Sequence, residues 1–225
     1  MTRARLAVLI SGRGTNLQAL LDAATTDGYP AEIALVISNR PDAAGLVRAR
    51  NAGVEAIALD HKKFGKGEKG RAAFDAVLHQ TLETTNVDYI CLAGFMRLFT
   101  ADFAQKWRGK MINIHPSLLP AFKGLNVHER MIEQGVKIAG CTVHFVSPAM
   151  DEGPIIGQAA LAVRPDDTPE TLADRILELE HKLYPSCVRL LVEGKARISA
   201  NNRVKLPEDE ATETKIVFPD LLQDL

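Results

Sequence analysis

Apolar residues fall along this chain in two alternating patterns. Short runs rich in Val, Ile and Leu read as strands: Leu6–Ile10, Ile33–Ser38, Ala56–Leu59, Val87–Ala93, Met111–Ile114, Ile138–Val146 and Ile155–Val163. Between most of them apolar positions return every three or four residues, which predicts helices from about Asn16, Ala43, Gly70, Thr100 and Val127. Strand–helix alternation of this kind specifies an α/β fold whose sheet is parallel at least in its first half. From Ile138 the strand runs follow one another closely, so that half is expected to be antiparallel. A last long helix opens at Thr168-Pro169-Glu170, with an N-cap, a proline in the first turn and an acid at the positive end of the helix dipole. Beyond Gly194, ARISANNRVKLP predicts a small hairpin turning at Asn201-Asn202, and PEDEATETK a solvated acidic tail. The Lys- and Gly-rich stretch HKKFGKGEKGR, from His61 to Arg71, reads as a mobile surface loop.

Composition narrows the class. The chain has 225 residues, 46% hydrophobic and 24% charged, enough for one large domain or two small lobes sharing a core, with neither disulfide nor metal needed to fold. With 27 basic against 28 acidic residues the net charge is −1, so no broad basic field exists to hold a nucleic acid. Anionic small molecules need only a few local donors and stay open. Cys91, Cys141 and Cys187 are widely spaced and odd in number, which is neither a disulfide framework nor a zinc site. The apolar run in MTRARLAVLISGRG is too short for a signal-peptide core or a membrane span, so a cytoplasmic, reduced and soluble protein is expected.

The first chemically suggestive stretch is SGRGTN, Ser11–Asn16, which directly follows the first strand and opens a helix. Gly12 and Gly14 permit a tight turn, and free N–H groups at a helix start suit a phosphate. A dinucleotide fingerprint asks for a third glycine where Leu17 stands, which disfavours a nicotinamide or flavin and favours a single phosphate, or simply a turn. The second stretch is MINIHPSLLP. On a strand, Asn113 and His115 share one face and Ile112 and Ile114 the other, with the two polar residues about 7 Å apart. An amide can donate to a developing oxyanion and an imidazole can carry a proton near neutral pH. A lone His is equally a hydrogen-bonded structural residue.

Three further features carry two readings each. Asp151, in the Gly/Pro turn MDEGP, is either a turn-former or, if the fold brings it to His115, the carboxylate that orients that ring. His144 shares a strand face with Thr142 and reads as a structural hydrogen-bonding group. Glu180 interrupts the apolar stripe Ala173, Ile176, Leu177, Leu183, Tyr184, Cys187, Val188 and Leu191, so a partner must satisfy it. That partner is a structural Arg or backbone N–H, or else a polar ligand group. Pro185, just after it, predicts a kink that exposes the carboxylate. In LAGFMRLF, at the C-terminal end of a buried strand, Phe95, Met96, Leu98 and Phe99 either pack the core or wall a pocket for a flat aromatic ligand, with Arg97 at its mouth.

Taken in order, ISGRGTNLQA, LAGFMRL, NIHPSLLP with FKG, HFV followed by MDEGPII, and LEHKLYP resemble the phosphoribosylglycinamide formyltransferase family of purine biosynthesis. The resemblance runs from about Leu6 to Val192. It implies the formyltransferase fold: a Rossmann-like, mostly parallel sheet with helices on both faces and antiparallel strands in the C-terminal half. A nucleotide-binding half of about 1–108 and a half of about 109–195 that completes a folate cleft would form one domain, followed by hairpin and tail over 196–225. By the same resemblance Asn113, His115 and Asp151 match the catalytic trio, and Gly14, Thr15, Asn16 and Glu180 the glycinamide ribonucleotide site. Met96, Arg97, Leu98, Phe99 and Asn113 match the folate site, with Arg71 a further folate contact. The implied formyl donor is 10-formyltetrahydrofolate, a co-substrate, with no metal and no NAD. The implied partners are these two small molecules, with no nucleic acid or membrane, for a monomer or weak homodimer.

Formyltetrahydrofolate deformylase shares AGFMR and DEGPII but reads His-His-Ser where this chain has His115-Pro116-Ser117, and carries an N-terminal regulatory domain. Methionyl-tRNA formyltransferase reads His-Ala-Ser there and adds a C-terminal RNA-binding domain; this chain is expected to have room for neither. A non-catalytic nucleotide-binding module would explain the glycine loop, but not Asn113 and His115 on one face nor a carboxylate within an apolar stripe.

Overall fold

The computed structural model describes residues 2–206. The apolar runs fold as strands and the periodic stretches as helices: β1 (Ala4–Ile10), α1 (Thr15–Thr25), β2 (Ala31–Ser38), α2 (Gly45–Asn51), β3 (Ala56–Ala58), a 3-10 turn (His61–Phe64), α3 (Gly67–Thr84), β4 (Tyr89–Leu92) and α4 (Ala101–Lys106). There follow β5 (Met111–His115), α5 (Val127–Glu133), β6 (Ile138–Phe145), β7 (Ile155–Ala162), α6 (Pro169–Val192), β8 (Arg197–Ile198) and β9 (Val204–Lys205). Seven strands make one sheet in the order β3-β2-β1-β4-β5-β6-β7. β1 to β5 pair in parallel, and β6 and β7 add antiparallel.

Alternation along β1 builds a core on each face of the sheet. Leu6, Val8 and Ile10 meet Leu17 and Leu20 of α1, Leu46 of α2 and the buried stripe of α6, while Ala7 and Leu9 meet Phe74 and Leu78 of α3 and Phe103 of α4. Each such Leu or Ile removed from water is worth about 1.5–3 kcal/mol. From β1 the chain steps outward to β2 and β3, then crosses back to β4 on the other side of β1. The loops after β1 and β4 therefore diverge and leave a crevice at the strands' C-terminal ends. Gly14 makes the first of these loops possible. It caps α1 at φ 73°, and a Cβ there would stand 2.8 Å from the Cα of Gly45 at the head of α2.

Two local expectations are corrected. The stretch from His61 to Arg71 is not an irregular loop but the 3-10 turn followed by the start of α3. The Asp60 carboxylate accepts from the N–H of Lys62, the Phe64 ring stands edge-on to Phe74, and Gly70 packs on the backbone of Gly65. Gly70 is a point of close approach, while Gly65 and Gly67 take the left-handed φ values of 81° and 71° that their turns require. Nor does Pro185 open α6. The helix continues to Val192, the Tyr29 hydroxyl donates to the Pro185 carbonyl at 2.9 Å, and Glu180 is only 6% exposed. The packed stripe on either side of the proline outweighs the one helical hydrogen bond it removes.

The capped start of α6 agrees with its sequence: Thr168 and Thr171 exchange side-chain-to-backbone hydrogen bonds. β8 and β9 form the expected hairpin, with Asn202 in the left-handed region at φ 57°. The acidic stretch at 207–215 lies outside the described residues. Among those residues no helix is long and apolar enough to cross a membrane.

Candidate active site

β5 ends in the crevice, and its antiparallel neighbour sets what faces it. Asn113 pairs with His144 and His115 with Thr142 across β5 and β6, so two polar pairs share one face while Ile112 and Ile114 enter the core opposite. His115 Nε2 lies 2.9 Å from the Phe122 carbonyl oxygen. A carbonyl only accepts, so Nε2 is the donor and Nδ1 is the nitrogen left to exchange a proton. Nδ1 stands 3.6 Å from Asp151 Oδ2. That is beyond hydrogen-bond length and leaves room for a water or a substrate atom to share the proton.

Asp151 reaches this place through a tight turn between β6 and β7. Its own φ is 55°, and its Oδ2 accepts from the N–H of Gly124 at 2.9 Å. Two residues on, a Cβ at Gly153 would fall 1.6 Å from the Phe145 carbonyl oxygen, so only glycine lets the turn fold down onto β6. The contact between Asp151 and His115, which the sequence left open, is thus made by the fold.

His144 emerges as a member of this group that the sequence reading had treated as structural. Its Nδ1 donates to the Phe145 carbonyl at 2.9 Å, so its Nε2 carries the lone pair and accepts from Asn113 Nδ2 at 3.2 Å. That bond fixes which end of the Asn113 amide is the donor end. Burial pushes the His144 imidazole below its ordinary pKa and keeps it neutral, the only state in which Nε2 can accept. Its Nε2 also lies 3.9 Å from Asp151 Oδ1. The available signal was the matched spacing of Asn113/His115 and Thr142/His144 on two predicted strands, whose pairing the sequence did not state.

A cleft of about 540 Å³ opens beside β1 and β4, lined by residues 11–16, Asn39, Arg40, His61 and residues from 93 to 97. The start of α1 faces it with N–H groups that have no intrahelical partner. Asn16 and Glu180 meet here: Asn16 Nδ2 donates to Glu180 Oε2 at 2.6 Å. The carboxylate's partner is therefore an amide, not the Arg or backbone N–H considered above. Burial pushes the Glu180 carboxyl upward in pKa, with the Asn16 hydrogen bond opposing it. Asn16 Oδ1 is buried without a partner among the described residues.

In the segment after β4 some apolar residues pack inward and others are exposed. The rings of Phe95, Phe99 and Phe103 stack, with Phe95 also against Phe74. Met96 and Leu98 stand out at 67% and 52% exposure. Arg97 lines the cleft with its guanidinium 4.6 Å from the centre of the Phe74 ring, and Arg71 is half-buried on α3, one turn before Asp75. Sequence reasoning missed the polar strut beneath: Ser11 Oγ donates to Asn39 Oδ1 at 2.6 Å and accepts from the N–H of Met96 at 2.8 Å. Cys91, Cys141 and Cys187 are free and buried, with burial pushing each up to about 12 in pKa, so they are protonated and inert.

Comparison with known proteins places these features in a family. A family model described as formyl transferase matches residues 4–188. The trifunctional purine biosynthetic protein adenosine-3 of Bos taurus is 48% identical over 90% of this chain, and the chain spans only 20% of that protein's length. Phosphoribosylglycinamide formyltransferase of Haemophilus influenzae is 42% identical over 88% of this chain and 91% of its own. Among solved structures, glycinamide ribonucleotide transformylase 1 from Symbiobacterium toebii superposes with a TM-score of 0.86 at 49% identity, covering 91% of this chain and 94% of that one. The match reaches from the first residue of β1 into α6, and the protein belongs to the formyl transferase family.

Proposed function

We propose that this protein transfers the formyl group of 10-formyltetrahydrofolate to the amino group of glycinamide ribonucleotide, a step of purine biosynthesis. The observation that carries this reading is the convergence of Asn113, His115 and Asp151 at the end of β5, with His115 Nδ1 3.6 Å from Asp151, near a cleft headed by a helix N-terminus. Relatives named for this activity match the chain over most of its length. The free N–H groups of Gly14, Thr15 and Asn16 suit the ribonucleotide phosphate, and Glu180 its ribose side. Met96, Leu98, Arg97, Phe99 and Arg71 take the folate. The buried, reduced thiols accord with a cytoplasmic protein, acting as a monomer or weak homodimer.

The substrate amine needs no strong base, since an α-amino group with a pKa of about 7.7–8.0 is already partly neutral at pH 7. Its attack on the formyl carbon creates a tetrahedral oxyanion. Asn113 commits one N–H to His144 and offers the other to that oxygen. With Nε2 held by the Phe122 carbonyl, His115 Nδ1 takes up the proton that the attacking amine loses and passes it to the folate nitrogen as the bond from that nitrogen to the formyl carbon breaks. Asp151 faces the same Nδ1, orients the ring and offsets its charge.

The test mixes purified protein with 10-formyltetrahydrofolate, with and without glycinamide ribonucleotide, and follows the ultraviolet change on loss of the formyl group. The expected signal requires the ribonucleotide; a signal without it identifies a deformylase, and none in either tube rejects formyl transfer. Glu180→Ala is expected to raise the KM for the ribonucleotide by about 10–100-fold, the worth of one hydrogen bond to a charged group at about 1.5–3 kcal/mol. An unchanged KM with a lowered Tm would make Glu180 purely structural.

A further inference from the structure

The segment that follows β4 is held at both ends by buried polar side chains from elsewhere in the chain. At its front, Ser11 accepts from the N–H of Met96. At its rear, one oxygen of Asp75, on α3, accepts from both the N–H and the hydroxyl of Thr100, at 2.7 and 2.8 Å. Thr100 in turn caps α4 by accepting from the N–H of Phe103 at 3.2 Å. Asp75 is 4% exposed, and its second oxygen is buried without a partner among the described residues. The Nε of Arg97 is buried and unpartnered in the same way.

Anchoring Thr100 does not by itself call for a carboxylate. An asparagine oxygen would accept the same two hydrogen bonds without the expense of burying a charge. What a carboxylate adds is a negative charge facing cations, and two stand near. Burial pushes the Asp75 carboxyl upward in pKa; the two hydrogen bonds from Thr100 oppose this first, and then the charges of Arg97, lying over the ring of Phe74, and Arg71, one turn before Asp75 on α3. One turn of α3 therefore sets the Phe74 ring against Arg97 and the Asp75 carboxylate against Thr100, with Arg71 at the start of that turn.

We propose that Asp75 is a positioning residue for the formyl-donor side of the cleft, fixing Thr100 and drawing Arg97 and Arg71 into place so that residues 96–99 stand ready for the folate. This rests on the reading above, in which those residues wall the folate site. Asp75 touches nothing on the ribonucleotide side, where Asn16 and Glu180 lie, so its effect falls on one substrate and spares the other.

The experiment measures calorimetric binding of 10-formyltetrahydrofolate without ribonucleotide, together with steady-state KM values for both substrates, in the wild type and in Asp75→Asn. Asp75→Asn keeps the acceptor for Thr100 and loses the charge. It is expected to weaken folate binding and raise the folate KM about tenfold, a change of about 1.4 kcal/mol, with the ribonucleotide KM within about twofold. Wild-type folate binding that Asp75→Asn leaves unchanged overturns the proposal alone, as do two KM values that rise together. A wild type that binds no folate overturns the functional reading and the proposal with it. If Asp75→Asn does not fold, Thr100→Ala, which removes one of the two donors, must raise the folate KM selectively, and an unchanged folate KM overturns the proposal.

Discussion

Replacing His115 by alanine is expected to lower kcat by about 10²–10⁴-fold, the range in which a positioned general acid contributes. The size follows from how the ring is held. Nε2 is bound to the Phe122 carbonyl, which Ser117 Oγ also approaches at 3.2 Å, so the ring cannot turn to offer a different nitrogen. All proton traffic then passes through Nδ1, beside Asp151. The loss should appear in kcat, with the two KM values within a few-fold, because the ring acts on the departing nitrogen rather than on either ground-state substrate. Single-turnover kinetics on variant protein whose circular dichroism matches the wild type checks this. A fall of less than tenfold would remove His115 from the chemistry.

Asn113→Ala should cost about 10²–10³ in kcat, the usual consequence of removing one oxyanion donor. The stronger form of the test is Asn113→Asp, which keeps size and shape but has no N–H to give. It also turns the acceptor Nε2 of His144, now without a donor, toward a carboxylate oxygen. Asn113→Asp is therefore expected to lose at least as much activity as Asn113→Ala. Near-wild-type turnover in the aspartate variant would mean that the amide only holds β5 to β6 and stabilises no oxyanion.

The two expected losses rest on unequal amounts of sequence information. That Asn113 and His115 point the same way follows from the two-residue period of a strand, and the turn at Gly14 follows from what glycine alone permits. That His144 orients Asn113 depends on the register Asn113↔His144, which no local pattern states. The misread stretch from His61 to Arg71 shows the same limit from the other side. Lysines and glycines read as a mobile loop until Phe64 finds Phe74 and Gly70 finds the backbone of Gly65. Pro185 read as a kink because propensity is local, whereas the stripe that carries α6 through it is bound to β6, β7 and α1.

The sequence by itself determined the order and type of nearly all the elements, the change from parallel to antiparallel pairing, and the residues with chemistry to offer at the strand ends. Those are consequences of period, chain geometry and side-chain type within a few residues. The tertiary structure decided which of those groups meet. Asp151 stands by His115 because Gly153 lets a turn fold onto β6, Asn16 answers Glu180 across 164 residues of chain, and Asp75 reaches under the segment after β4 from a helix on the far side of the sheet from α6. Such pairings are fixed by strand register and helix docking, where many weak apolar contacts add up to one arrangement, and only within that arrangement does a buried polar group find its partner.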